Sequence, residues 1–235
     1  MENKRKEEYI ENLPATLNFV VEEGDFLLLD IASFSKEISS KIIIEVKKGG
    51  RFVGAFADFT DSNTSLSVTI KLLGEGSSCE WHTASLSSKK EKKEYQIDVT
   101  HKAKGTTALV SNYGIAREES FLKFSGLSEI AKGASESITK QEAKIIVFDP
   151  KSDGLASPAL KIDDNDVQAS HAAVVGRLNE QHLFYLESRG LSLPLAKRLI
   201  ALGYLKPIEG FFEDEKTKET INEAIERGFD DVRSL

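Results

Sequence analysis

From Ala15 to about Ile162 the chain is a succession of short runs in which apolar residues recur at every second position. Leu17–Val21, Phe26–Ile31, Lys41–Val46, Phe52–Phe59, Leu66–Leu72, Tyr95–Val99, Thr106–Tyr113, Phe121–Phe124 and Lys144–Phe148 are the clearest. Each is about five to eight residues, an ordinary strand length. Between them lie turn-formers: Glu22-Glu23-Gly24-Asp25, Lys48-Gly49-Gly50, Gly74-Glu75-Gly76, Lys104-Gly105 and Lys132-Gly133. β-Branched residues and Gly are too frequent here for a helix of three turns, and the apolar period is two rather than about 3.6. The region therefore reads as all-β, with about ten or more strands. Pattern alone leaves a sandwich, a barrel and a parallel β-solenoid open. The Gly-containing turns fit a solenoid, but no strict internal repeat is visible.

The flanks differ. Glu2 to Asn12 is charged and reads as a short helix or a frayed tail. After Asp163 a polar turn, Asp164-Asn165-Asp166, leads to helix signals. Asn179 can cap a helix through Ser188, with Gly190 as its stop. Ser192 can cap a second, with Pro194 in its first turn, running to Leu202. Lys216 to Arg227 is a third, with Ile221, Ala224 and Ile225 on one stripe. The expected organisation is a tail over 1–14, a β core over 15–178 and a helical region over 179–235.

A net charge of −7 argues against nucleic-acid or anionic-membrane binding. The run Lys89-Lys90-Glu91-Lys92-Lys93 reads as a solvated turn. Cys79 is the single cysteine, so neither an intrachain disulfide nor a thiolate metal cage can form within one chain, and a buried inert thiol is expected. Met1 to Glu11 lacks the apolar segment of a secretory signal, and no apolar run approaches the roughly 20 residues that span a bilayer. A cytoplasmic protein is expected.

The four histidines, His82, His101, His171 and His182, are scattered without metal-ligand spacing. His82 and His101 read as packed or structural, and His182 as solvent-facing on a helix. His171 sits among small neighbours, Ala169, Ser170, Ala172 and Ala173, which would let another surface approach closely. No nucleophile elbow, phosphate loop or dinucleotide fingerprint is present. Nothing in the residues identifies an enzyme.

Several segments match a known pattern in order. Gln96-Ile-Asp98 and His101, then Lys132-Gly133, then Gln141-Glu-Ala-Lys-Ile-Ile-Val, come first. Pro158-Ala-Leu-Lys-Ile-Asp, Asp166-Val, Ser170-His171-Ala172, Gly176-Arg-Leu, Leu183-Phe-Tyr and Ser188-Arg-Gly190 follow. Over about residues 95 to 205 the chain resembles the SufB/SufD family of iron–sulfur cluster assembly proteins, and is SufD-like at the His171 segment. The resemblance implies a right-handed parallel β-helix followed by C-terminal helices. It implies a non-catalytic scaffold that pairs through its β-helix with a SufB-like paralogue or a second copy. It also implies a SufC-type ABC ATPase bound through the C-terminal helices, with Leu183, Phe184, Tyr185, Arg189, Gly190 and Leu199 as candidate contacts. His171 is the implied iron or cluster ligand at the subunit interface.

The sequence departs from the pattern at the thiolates. Ala169 stands at the SufD cysteine position two residues before the histidine, Glu142 at the SufB cysteine position, and Ala172 where SufB carries a glutamate. Imidazole plus carboxylate, His171 with Glu142, is the candidate Fe(II) site, since that borderline ion accepts N and O donors. No tightly held cofactor is expected, only a transient iron or cluster in the complex. A carbohydrate-active solenoid and an adaptor without a cluster role are the alternatives.

Overall fold

The computed structural model describes residues 4–229. In chain order its strands are β1 (Arg5–Ile10), β2 (Thr16–Val21), β3 (Phe26–Ser33), β4 (Ile38–Val46), β5 (Arg51–Asp58), β6 (Thr64–Leu72), β7 (Ser78–Ser87), β8 (Lys92–His101), β9 (Thr107–Ala116), β10 (Phe121–Ile130), β11 (Ser137–Val147), β12 (Asp153–Ile162) and β13 (Val167–Arg177). Helices α1 (Glu180–Ser188), α2 (Leu193–Leu205) and α3 (Glu215–Arg227) follow, with a 3-10 segment, Lys206–Phe211, between the last two.

The odd-numbered strands form one sheet in chain order and the even-numbered strands a second. Each strand pairs in parallel with the strand two before it, so the chain winds as a parallel β-solenoid of about six turns. The coils differ in length. Lys47 bonds Glu22 one coil earlier across 25 positions, whereas Lys151 bonds Glu119 across 32. A drifting coil length hides the repeat from the sequence.

One line of corners is built from glycines. Gly24, Gly49, Gly76 and Gly105 all have positive φ, and each donates its N–H to a carbonyl of the following coil. A side chain there would strain the turn.

The lumen is filled by inward residues of both sheets: Ile42, Ile44, Val68 and Ile70 from one, Phe52, Phe56 and Trp81 from the other. The even sheet alternates buried and less buried residues, as expected when one face meets solvent. In the odd sheet β3 and β5 are buried on both faces. The reason is small outward residues, Ala32, Ala55, Ala57 and Ala84, against which Ala201, Leu205, Ile208, Ile221 and Ile225 of the helical region pack.

Three sequence expectations change. Arg5–Ile10 is neither helix nor tail; it is a strand in register with Phe26–Ile31, and tertiary pairing overrides its charged composition. The helix opened at Ser192 runs past Gly203 to Leu205, because its buried Ala201 and Leu205 reward the extra turn. The Lys89–Lys93 run is not wholly a solvated turn: Lys93 is completely buried. Its Nζ lies 2.9 Å from Asp58 Oδ1 and 2.8 Å from the Thr60 carbonyl.

Candidate functional site

β13 is the last strand of its sheet, paired only with β11. Its other edge is open, and nearly every residue along it is exposed on both faces. Val174 is 52 % exposed, and Leu155 and Ile162 on β12 are exposed beside it. An open, apolar edge is a template for another strand.

His171 sits mid-strand on this edge, in register with Gln141. Ala169 and Ala173 share its face and leave the ring unobstructed. The imidazole is exposed and makes no hydrogen bond or ion pair among the described residues.

Glu142 does not join it. In register it faces Ala172, one position further, and adjacent strand residues point to opposite faces. His171 therefore stands on the luminal side and Glu142 on the outer side. There Glu142 accepts a hydrogen bond from Tyr113 Oη at 2.7 Å and pairs with Lys144 at 2.6 Å. The bond from Lys144, helped by Tyr113, holds its carboxyl below the usual range. The imidazole–carboxylate pair expected from sequence is thus not assembled within one chain, because side chains one register position apart on neighbouring parallel strands point to opposite faces.

The other candidates fall elsewhere. His82 is stacked on Phe211 at 3.8 Å between ring centroids, and burial holds it below its ordinary range. His101 is buried, bonded through Nδ1 to Thr106 Oγ1 at 2.7 Å, and burial pulls it down to about 4. His182 is exposed on α1. Cys79 is enclosed in the core, and burial pushes its thiol up, away from thiolate. Among the described residues no group of three or more His, Cys, Asp or Glu could hold a metal ion.

The Gln96/Asp98 motif has a structural task that sequence reasoning did not find. Pairing of β8 with β10 skips Gly126 and Leu127. A Cβ on Gly126 would lie 2.1 Å from the Ile97 carbonyl oxygen, so only glycine fits. Asp98 Oδ1 takes the stranded Leu127 N–H at 2.9 Å, and Gln96 donates to the same oxygen.

The second candidate surface is helical. Asn179 caps α1, its Oδ1 accepting from the Gln181 and His182 amides. Gly190, at φ 89°, ends the turn beyond it, as the sequence signals. α1 buries no residue: Phe184 is 72 % exposed, Tyr185 lies open with the Arg189 guanidinium over its ring, and Leu183 is half-buried. Leu193, Leu195 and Leu199 of α2 continue this apolar surface. Among the described residues no helix is long and apolar enough to cross a membrane.

The chain is a two-sheet parallel solenoid with an open edge strand, β13, and exposed apolar side chains on α1 and α2. Comparison with known proteins gives its family. Residues 35–204 match the model of the SUF system FeS cluster assembly SufBD core domain. The chain is 30 % identical over 167 residues to the iron-sulfur cluster assembly protein SufD of Bacillus subtilis, covering 71 % of this chain and 38 % of that protein. It is 26 % identical over 167 residues to a SufBD family protein of Mycobacterium bovis, covering 69 % and 20 %. A SufBD family protein of Staphylococcus epidermidis is 24 % identical over 155 residues, covering 64 % and 33 %. The chain belongs to the SufBD family, and its match spans well under half the length of these relatives.

Proposed function

We propose that this chain is a non-catalytic, cytoplasmic scaffold subunit of a Suf-type iron–sulfur assembly complex. It pairs along β13 with a SufB-like paralogue or a second copy and docks a SufC-type ABC ATPase on the surface formed by Leu183, Phe184, Tyr185, Arg189, Gly190 and Leu199. The observation that carries this reading is the open β13 edge with His171 at its centre. A strand laid against that edge brings the partner's side chains to the imidazole, and iron or a nascent cluster is the cargo held between them. His171 supplies nitrogen; with Ala169 and Ala172 beside it and Glu142 on the far face, the remaining donors come from the partner.

Anaerobic co-purification followed by native mass spectrometry tests the assembly. The expected species contains this chain, an ABC-type ATPase and a second solenoid. His171→Ala is expected to leave that species intact and lower reconstituted cluster yield about tenfold or more. Recovery of the chain without any ATPase in low salt would remove the scaffold reading.

A further inference from the structure

The helical region rests on the solenoid through a contact of its own. One apolar cluster fills the lumen, and a separate one lies between the odd sheet and the helices. The second is floored on the sheet side by Ala32, Ala55, Ala57 and Ala84, with larger residues only toward the strand ends. Burial stabilises in proportion to apolar area, so this floor holds the helices less firmly than a floor of Leu or Ile would. α2, the 3-10 segment and α3 pack on one another, and α2 and the 3-10 segment touch the sheet at β5, β7 and β9. The unit is joined to the solenoid through α1, which buries no residue, and through the turn at Gly190, φ 89°. Such a connection can follow a movement of the unit without losing buried surface.

The contact also holds polar atoms that nothing bonds. Asp30 shares the outward face of β3 with Ala32 and is in register with Ala55. It is buried, and its Oδ1 has no hydrogen-bond partner. On β7, His82 is stacked on Phe211 of the 3-10 segment, and its Nε2 is buried and unbonded, with Glu80 Oε2 3.7 Å away. On the 3-10 segment itself, Glu209 Oε1 is buried and unbonded. Each such atom costs about 1–3 kcal/mol while it stays buried. Water would bond it once the helices lifted. The ties at the rim are exposed or half-exposed ion pairs, Arg5 with Glu213 at 2.6 Å and Lys197 with Asp149 at 3.3 Å, and pairs of that kind hold by about 0–1 kcal/mol.

We propose that α2, the 3-10 segment and α3 form a lever that swings off the odd sheet about α1 while the solenoid stays folded. The unbonded atoms of Asp30, His82 and Glu209 keep the lifted state within reach of the docked one. Lifting bares the alanine floor and carries Leu193, Leu195 and Leu199 with the lever. The inference goes beyond the scaffold reading and does not depend on it, since the movement is a property of this chain alone.

The single cysteine supplies the reference for the test. Cys79 lies in the lumen core at 1 % exposure, so it reacts only when the solenoid itself unfolds. Ala57→Cys and, separately, Ala84→Cys each place a second thiol under the helices. In native buffer the introduced thiol is expected to react with a chromogenic disulfide reagent about tenfold or more faster than Cys79. Its rate is expected to depend less steeply on urea, because lifting exposes less surface than unfolding. His82→Phe keeps an aromatic ring against Phe211 and removes the unbonded nitrogen. That change, Glu209→Met and Asp30→Leu, each made in the Ala57→Cys chain, are expected to slow the introduced thiol about fivefold or more. Equal rates and equal urea dependence for Cys79 and the introduced thiol, at both positions, would show that the helices leave only on global unfolding and would overturn the proposal. Labelling that none of the three polar replacements slows would overturn it as well, by removing the buried polar atoms as its cause.

Discussion

Lys93 shows how far one side chain can depart from the look of its neighbours. Three of the four residues before it are lysines, and on composition the segment belongs to solvent. Phase decides otherwise. Lys93, Tyr95, Ile97 and Val99 occupy alternate positions of β8 and all face the lumen. The ammonium is stabilised there by Asp58, whose second oxygen accepts from Thr64 and Tyr95 at 2.6 Å each. Burial alone would raise the Asp58 carboxyl, and Lys93 with the two hydroxyls more than reverses it. Lys93→Ala therefore leaves a buried carboxylate without its cation and is expected to cost about 3–5 kcal/mol in urea unfolding. Replacing both partners, Lys93→Met with Asp58→Leu, is expected to recover most of that loss. A single variant within about 0.5 kcal/mol of the original chain would mean that the pair contributes nothing. The alternation that places Lys93 inside was legible in the sequence; its partner, 35 positions away, was not, because the pairing depends on coil length.

Among the elements, legibility follows burial. Strands with one face in the lumen and one in solvent carry the alternation that announces them, and the helices carry their caps, Asn179 and Gly190 among them. β13 announces nothing, since both of its faces are exposed and no core imposes an alternation on it. β1 is charged throughout its first half and is identified only by pairing. The contact between the odd sheet and the helical region is also invisible locally, yet it sets a pH response. Asp30, on β3, is 8 % exposed with Oδ1 unpartnered. Burial first, then the charges of Glu213 beyond the 3-10 segment and Glu7 on β1, push its carboxyl up to about 7. Arg5 pairs with both of those glutamates. Between the ordinary 3.8 and about 7 the folded chain holds a proton that the unfolded chain has lost, so Asp30's contribution to stability falls as pH rises through that window. His82, held neutral by burial, acts in the opposite sense, its contribution falling as pH drops below its ordinary range. Asp30→Asn isolates the first effect. At pH 8 the variant is expected to be more stable than the original chain by about 1 kcal/mol, partial solvation keeping this well below the full shift. The advantage is expected to vanish at pH 4. Parallel stability profiles for the two chains across that range would show that Asp30 does not titrate there.

At the scale of the molecule the two ends of the solenoid are unlike. β1 opens with Arg5, Lys6, Glu7 and Glu8, and charges on an edge strand oppose pairing with another chain. β13 carries only small, polar and apolar residues from Val167 to Gly176, apart from the imidazole of His171. On the scaffold reading proposed above, a solenoid blunted at one end and open at the other adds a single partner and then stops, whereas two open ends would stack coil upon coil into a fibre. The edge that makes β13 hard to read is the one that reading uses for assembly. A charge placed there should act on assembly alone. Val174 is half exposed and its side chain touches little, so Val174→Lys is expected to change the stability of the isolated chain by less than about 0.5 kcal/mol. The same lysine is expected to lower affinity for the partnering solenoid at least tenfold, by desolvating an ammonium against an apolar edge. Sedimentation velocity over a concentration series measures the second quantity and thermal unfolding the first. Unimpaired pairing by the lysine variant would move the interface away from β13, and with it the argument that His171 lies where two subunits meet.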